Sequence, residues 1–332
     1  MDTIMEKGII TIEQFEDLVV ERLQDDFNED GNETVTVKAT EVRKNNGVVL
    51  HGIIIRDDNS TLAPTVYVDG IYEQFIQGAC LDECIDNIKE MYNVSRDYKV
   101  IVPPGIVDSF EAVEDIIFPK IINSERNNTL LEKSPHALIG DLAVIFQVYV
   151  SEFNGEGVGT VIVTDELCQR WNVQTDRLLS AALKNLNSKS GISIKSLYSI
   201  VSEMMLKTDD REVNEDMLQR KQSDDPYQMF VLSNQNKLNG AAGLLAEDKI
   251  AEFAERMDSD LYILPSSVNE LIVLPHEESQ EETEKLAEMV REVNRSSVPA
   301  HEFLSDNVYT FSRKDRSLRI ALTGEKMQLK VA

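Results

Sequence analysis

Hydrophobic and polar positions follow a clear pattern over residues 260–294. Two apolar runs, Leu261–Leu264 and Leu271–Leu274, flank a polar turn, and short apolar runs bounded by turn residues are typical of strands buried on both faces. The spacing of Ser279 and Glu282 then predicts a capped helix. We expect one apolar face of this helix to pack against the two strands, and its members at helical spacing are Leu286, Met289, Val290 and Val293.

The same strand–strand–helix pattern occurs three times, near residues 142–186, 229–257 and 261–294. In the second occurrence, the run Gly240–Leu245 is predicted as the second strand. A β-hairpin over residues 307–322 closes the chain. The similarity between the three units is one of pattern and has no fixed period, so the sequence does not predict a solenoid.

The N-terminal part is predicted to form a helix, three strands and a further helix. Asn46-Gly47 between two β-forming runs is a strong hairpin signal, because both residues tolerate positive φ. We therefore predict an α+β fold with an N-terminal αβββα module at residues 1–105 and a larger region at 106–332. Within the latter, residues 106–135 are predicted to be largely helical.

Charge is the extreme property of this chain. It has 59 acidic and 33 basic side chains, for a net charge of -26. The net charge is -12 over residues 1–100, -4 over residues 101–200 and -10 over residues 201–332. Such acidity excludes broad binding to nucleic-acid phosphates, whose affinity comes from Lys and Arg. It leaves open a basic protein partner, electrostatic mimicry of nucleic acid, or a role in solubility alone.

The composition predicts a cytoplasmic protein. The N-terminal residues lack the basic and apolar regions of a signal peptide, and no apolar run approaches the roughly 18 residues that predict a membrane span. Three cysteines in 332 residues do not make a disulfide framework. We expect no association with a membrane.

The cysteines and histidines do not predict a metal or cofactor site. Cys80 and Cys84 lie one helical turn apart, but a zinc site usually has four ligands, and no second pair is present. Cys84 also lies on an apolar stripe, which favours core packing. None of the histidines shows metal-site spacing, and their positions are His51, His136, His276 and His301. His276, beside two glutamates, is better explained as a solvent-facing residue after a strand than as an acid/base group.

Two glycine- and serine-containing motifs have simple structural explanations. Gly155, Gly157 and Gly159 have partial dinucleotide-loop spacing, but they precede a strand rather than open a helix, so a hairpin turn explains them better. Ser266 and Ser267 would need a base and an oxyanion hole to act as nucleophiles. Serines in turns commonly bond to their own backbone.

Two exposed turns are the candidate interaction sites. The first is the turn after the predicted strand at 261–264, and its polar residues are Ser266, Ser267, Asn269 and Glu270. The second is the basic tip of the closing hairpin, with Arg313, Lys314 and Arg316. A charged hairpin tip is commonplace, whereas a contact for an acidic partner is the functional alternative.

Several sequence blocks resemble those of a bacterial protein family known only as a domain of unknown function. These blocks are VRKNNGVVLHGIIIRD, PTVYVDGIYEQF, MFVLSNQNKLNGAA, LYILPSSVNELIVLP and EFLSDNVYTFSR. The middle block DLAVIFQVYV is more distantly similar to a second uncharacterised family. Neither resemblance implies an activity. In the first family the serine turn often reads Ser-Ser-x-His-Glu, and Asn269 stands here in place of that histidine.

The sequence therefore predicts a cytoplasmic, non-enzymatic acidic interaction protein with a basic protein partner and no cofactor. The alternative is a hydrolase or nucleotide-binding enzyme whose acidic residues converge only in three dimensions. An enzyme should have a concave site with convergent carboxylates or a histidine of perturbed pKa. A binding protein should instead have a flat apolar patch or a strongly acidic groove.

Overall fold

A computed structural model of the protein divides into two compact units. The first unit comprises Met1–Ile101 and Glu152–Glu156, and the second comprises Val102–Ser151 and Gly157–Ala332. The domain boundary at residue 105 stays a prediction. The structure describes residues 10–29, 34–57, 63–96, 105, 107–153, 157–208, 228–276 and 279–332.

The first unit packs helices against an antiparallel three-stranded sheet of order β1-β2-β3. Its elements are α1 (Ile12–Glu29), β1 (Val35–Arg43), β2 (Val49–Asp57), β3 (Thr65–Tyr67), α2 (Asp69–Ile76) and α3 (Leu81–Arg96). This confirms the predicted order of one helix, three strands and a following helical region. Asn46 and Gly47 have φ values of 63° and 68° at the β1–β2 turn, which confirms the hairpin.

The core of the first unit follows from the apolar stripes of its helices. α1 begins with a capping box, in which the Thr11 N–H donates to Gln14 Oε1 at 3.0 Å and the Gln14 N–H donates to Thr11 Oγ1 at 3.4 Å. The buried apolar side chains of α1, β2 and α3 include Phe15, Val19, Leu23, Ile53, Ile55, Cys84, Ile85, Ile88 and Tyr92. Cys84 is thus a core residue.

The second unit contains two antiparallel sheets. Its helices are α4 (Phe110–Val113), α5 (Asn128–Leu131), α6 (Asp165–Trp171), α7 (Thr175–Lys189), α8 (Leu197–Thr208), α9 (Glu247–Met257) and α10 (Gln280–Ser296). Its strands are β4 (Ile117–Asn123), β5 (His136–Ile139), β6 (Leu142–Phe153), β7 (Gly157–Ile162), β8 (Ser193–Ser196), β9 (Phe230–Ser233), β10 (Leu261–Ser267), β11 (Glu270–Pro275), β12 (Tyr309–Ser312), β13 (Ser317–Ile320) and β14 (Lys330–Val331). The strand orders are β13-β12-β10-β11-β9-β8 and β14-β5-β6-β4, with β7 also paired to β6.

The β10–β11 hairpin lies at the centre of the six-stranded sheet and is buried on both faces, as predicted. Leu261 and Ile263 belong to the main core, whereas Tyr262 and Leu264 pack in a separate cluster with α10. Alternate residues of a strand point to opposite faces, so one strand contributes to both cores. The α+β fold class, the third strand–strand–helix unit and the closing hairpin are confirmed.

The predicted apolar face of α10 is partly wrong. Leu286 and Val290 are buried, but Met289 and Val293 are 45% and 44% exposed. The Tyr262 hydroxyl lies 2.6 Å from Thr283 Oγ1 in a buried hydrogen bond. Thr283 lies on the same side of the helix as the buried Leu286, Ala287 and Val290, and this side faces the sheet. Met289, about 110° from the centre of that face, consequently points to solvent.

The predicted strand Gly240–Leu245 is a buried 3-10 helix instead. A Cβ atom on Gly240 would lie only 2.4 Å from the Asn269 carbonyl oxygen, so the backbone passes too close to its neighbours for any other residue. β9 pairs with β11 and β8, and not with this segment. The small residues of this segment, which led to the strand prediction, let its backbone pack closely against neighbouring segments.

The helical prediction for residues 106–135 misses a strand. β4 pairs along all its seven residues with β6, from Ile117 opposite Val148 to Asn123 opposite Leu142. This pairing is with a partner distant in sequence, so no local signal reports it. Among the described residues, none of the helices is both long and apolar enough to cross a membrane.

Candidate functional site

Four carboxylates and one histidine interact electrostatically in the first unit. The histidine is His51 of β2, and the carboxylates belong to Glu13 and Glu16 of α1, Glu41 of β1 and Asp69 at the start of α2. We refer to these five residues as the His51 cluster. Four elements of the first unit, α1, β1, β2 and α2, thereby contribute to one acidic cluster.

Asp69 orients His51 through two hydrogen bonds. Its Oδ1 lies 3.1 Å from His51 Nδ1, and its Oδ2 accepts from the His51 backbone N–H at 3.0 Å. The Val68 N–H in turn donates to the His51 carbonyl at 2.9 Å, which holds the start of α2 against β2. The imidazole is thus fixed by its Nδ1 side.

The β1–β2 hairpin brings Glu41 to this position. In the antiparallel register, Glu41 lies directly opposite His51. The register is set by the Asn46-Gly47 turn, because a tight turn fixes which residues face each other. Glu41 is exposed and adds its charge at the surface of the cluster.

Glu16 is the unusual member of the cluster. It is only 7% exposed, and its Oε1 has no hydrogen-bond partner among the described residues. Glu16 shares the inner side of α1 with the buried Val19 and Leu23, at spacings of three and seven residues. A buried polar atom without a partner is rare and destabilising.

The electrostatics of the cluster favour proton uptake. Burial raises the pKa of the Glu16 carboxyl; the charge of His51 lowers it, and the charges of Glu13, Asp69 and Glu41 raise it further. Burial acts to lower the pKa of His51. The Asp69 hydrogen bond and the charges of Glu16, Asp69 and Glu13 outweigh that effect, so the pKa of His51 lies above its ordinary value of 6.5.

Two kinds of chemistry suit this arrangement. A lysine or arginine side chain placed against the cluster would give Glu16 a partner and would be attracted by the surrounding negative charge. The His51–Asp69 pair also has the form of a general acid/base dyad, in which a carboxylate orients the imidazole. Within the described ranges, no group of three or more His, Cys, Asp or Glu side chains could hold a metal ion.

The serine turn between β10 and β11 makes internal contacts. Ser267 is buried, and its Oγ accepts from the Asn269 N–H at 3.0 Å. Asn269 Oδ1 accepts from the backbone N–H of Asn239 at 3.0 Å, while Ser266 Oγ lies 3.4 Å from Glu270 Oε1. These contacts fix the turn against the neighbouring loop, so its polar groups have a structural use.

The basic hairpin tip between β12 and β13 is matched by acidic residues of the same unit. Arg313 Nη1 bonds to Asp258, and Arg316 Nη2 bonds to Asp248 Oδ1 at 2.5 Å. Lys314 is exposed. Two of the three cations therefore already have carboxylate partners.

The other candidate residues do not belong to the His51 cluster, and several make structural contacts. Cys80 is exposed at the start of α3, where its Sγ accepts from the Glu83 N–H at 3.4 Å. The His276 ring packs against Tyr262 in a tilted arrangement, with centroids 4.3 Å apart. Gly157 begins β7, which pairs with β6, whereas Gly155 lies outside the described residues.

Residues 12–313 match the sequence model of DUF5688, which is described as a family of unknown function. The chain belongs to this family. The match extends over both units, and it confirms the resemblance seen in the sequence blocks. Searches of curated proteins and of solved structures gave no match. The DUF5688 family brings no activity with it, so the function has to be argued from the site itself.

Sequence reasoning missed the His51 cluster, although two signals for it were present. A glutamate at position 16 interrupts the apolar stripe of an amphipathic helix, which is unusual for a charged residue. The Asn46-Gly47 turn also fixes Glu41 opposite His51 by counting along the two strands. The approach of Asp69 depends on how β3 and α2 fold back, which no local pattern reports.

Proposed function

We propose that this DUF5688 protein is a non-enzymatic interaction protein that binds a basic protein through the His51 cluster. The observation that carries the proposal is Glu16, a buried carboxylate whose Oε1 has no partner among the described residues. A lysine or arginine of the partner would complete its hydrogen bonding. Truncating either side of such a buried charged pair typically costs several kcal/mol of binding free energy.

The surrounding charge supports the same partner. Residues 1–100 carry 21 acidic and nine basic side chains, and Glu13 and Glu41 are exposed at the cluster. An acidic surface attracts a basic protein over distances of about one Debye length and raises the rate of association. We infer that this encounter takes place in the cytoplasm of a bacterial cell.

Salt dependence tests the proposal. Protein captured from an extract of the source cells by the full chain would be identified by mass spectrometry, and its affinity measured at about 0.1 M and about 0.5 M salt. We expect a basic partner that binds at least about tenfold more weakly at the higher salt, where the Debye length is roughly 4 Å. An acidic partner, or an affinity that does not change with salt concentration, would contradict the proposal. The negative charge of the chain would then be explained by solubility alone.

A hydrolase is the second candidate, and the His51–Asp69 pair is the observation that favours it. Asp69 fixes Nδ1 of the ring, so the other ring nitrogen is the one that would accept or donate a proton. Hydrolysis of p-nitrophenyl acetate or p-nitrophenyl phosphate by the wild type, lost in His51→Gln and retained in His136→Gln, would favour this alternative. Equal rates in all three proteins would exclude a catalytic role of His51 toward these esters.

A further inference from the structure

A cleft of about 460 Å³ lies in the second unit, and Arg316 of the basic hairpin tip is one of its lining residues. We call it the Ser317 cleft. Its floor is buried and mainly apolar, and the buried floor residues are Ile139, Leu244, Ser317, Leu318 and Met327. A cleft of this size, with an apolar floor and polar residues around it, can hold a small molecule.

Ser317 is the polar group of the floor. It is 5% exposed, and its Oγ has no hydrogen-bond partner within the described part of the chain. A buried hydroxyl can donate one hydrogen bond and accept others. Left unpaired it lowers stability. Its Oγ is closed to solvent, so a ligand gains this hydrogen bond, with no competing partner, when a neighbouring side chain of the floor moves aside.

The mouth of the cleft carries charges of both signs. Arg316 and Asp248 neutralise each other at 2.5 Å. Glu247 and Lys326 also line the cleft and are exposed, and neither has an ion-pair partner among the residues described. One free carboxylate and one free ammonium group therefore remain at the mouth.

This combination selects a particular class of ligand. A simple anion would be attracted by Lys326 but repelled by Glu247. A simple cation would be attracted by Glu247 but repelled by Lys326. A zwitterion can satisfy both. We propose that the Ser317 cleft binds a short apolar peptide with free termini. Its carboxylate pairs with Lys326, its ammonium group pairs with Glu247, and its side chains cover the apolar floor.

The dipeptide Leu-Leu and its three terminally blocked forms test the proposal on the full-length protein. These forms are N-acetyl-Leu-Leu, Leu-Leu amide and N-acetyl-Leu-Leu amide, and NMR titration measures their affinities. We expect each blocked terminus to weaken binding by about threefold, as for exposed ion pairs. Lys326→Gln should remove the difference between Leu-Leu and Leu-Leu amide. Glu247→Gln should remove the difference between Leu-Leu and N-acetyl-Leu-Leu.

Two further variants distinguish the cleft from other surfaces. Lys314→Gln removes an exposed lysine that does not line the cleft, and it should bind all four peptides as the wild type does. Ser317→Ala should fold normally, because it deletes an unpaired hydroxyl, yet bind Leu-Leu several-fold more weakly. Absence of Leu-Leu binding at millimolar concentration, or equal affinity for all four peptides, would overturn the proposal. So would a Ser317→Ala affinity equal to that of the wild type.

Discussion

Two buried or partly buried carboxylates, one in each unit, have opposite environments. In the second unit, Asp141 Oδ2 accepts from Ser305 Oγ at 2.5 Å and Asp141 Oδ1 accepts from the Tyr309 hydroxyl at 3.0 Å. In the first unit, Glu16 Oε1 has no partner among the described residues. Asp141 thus has a hydrogen bond at each oxygen, whereas Glu16 carries an unused acceptor.

This difference separates a carboxylate that holds the fold together from one whose Oε1 acceptor is unused among the described residues. Asp141 joins residues more than 160 positions later in the chain to the start of β6, and it satisfies the hydroxyl of the fully buried Tyr309. Burial, and then the charge of Asp141, raise the pKa of Tyr309 well above 10, so this hydroxyl stays a donor. Glu16 contributes nothing comparable to stability.

The largest expected effect concerns the core of the second unit. Leu286→Ala should lower the free energy of unfolding by roughly 2–5 kcal/mol, because Leu286 is 3% exposed and a cavity would remain. Urea denaturation measures this loss of stability. Met289→Ala, at an exposed position of the same helix, is the control, and its free energy of unfolding should differ little from that of the wild type. The pKa of His51, measured by NMR, should be the same in Leu286→Ala. An unchanged denaturation midpoint would refute the proposed packing of α10.

The next effect concerns Asp141. Asp141→Asn should lower the free energy of unfolding by roughly 1–3 kcal/mol, because the amide nitrogen cannot accept a hydrogen bond from Ser305 or Tyr309. Asp315→Asn makes the same chemical change at an exposed position and should be nearly neutral. Equal stability of the two variants would show that Asp141 has no structural role.

Glu16 should respond in the opposite direction. Glu16→Gln should raise the free energy of unfolding by roughly 1 kcal/mol at pH 7, because it removes a buried charge without a full set of partners. The gain should shrink as the pH falls towards 4.5, the ordinary pKa of this group, since the wild-type carboxyl is then protonated. A variant less stable than the wild type at pH 7 would mean that Glu16 stabilises the fold as Asp141 does.

The smallest expected effect is the pH dependence that comes from His51. Its folded-state pKa is raised, so protonation stabilises the first unit; this contribution is complete below pH 6.5 and is lost as the pH rises through the folded-state value. It should amount to at most about 1 kcal/mol. Denaturation midpoints of the wild type should therefore fall across this range relative to those of His51→Gln. A wild-type profile parallel to that of the variant would contradict this assignment.

Local signals predicted much of the fold. Residues close together in the sequence were enough to predict the Asn46-Gly47 hairpin, the strands β10 and β11 and the helix after Ser279. β4 was missed because its partner is distant in sequence, and the 3-10 helix at Gly240–Leu245 was missed because its shape depends on close approach to Asn269.

The candidate site was harder to predict than the fold. The exposed turns chosen from the sequence hold residues that mostly make contacts within the second unit, as Ser267 and Arg316 illustrate. The His51 cluster instead assembles from α1, the β1–β2 hairpin and the start of α2. Only Glu16 signals it locally, as a carboxylate on the apolar side of a helix.

The affinity of Glu16→Gln for the captured basic partner tests the central claim most directly. Glu90→Gln on the exposed side of α3 removes the same charge from the same unit and serves as the matched control. At about 0.1 M salt we expect Glu16→Gln to bind at least about tenfold more weakly than the wild type, because the partner's cation loses its buried acceptor. Glu90→Gln should bind nearly as the wild type does. Equal affinities of the two variants would contradict the assignment of Glu16 as the recognition carboxylate.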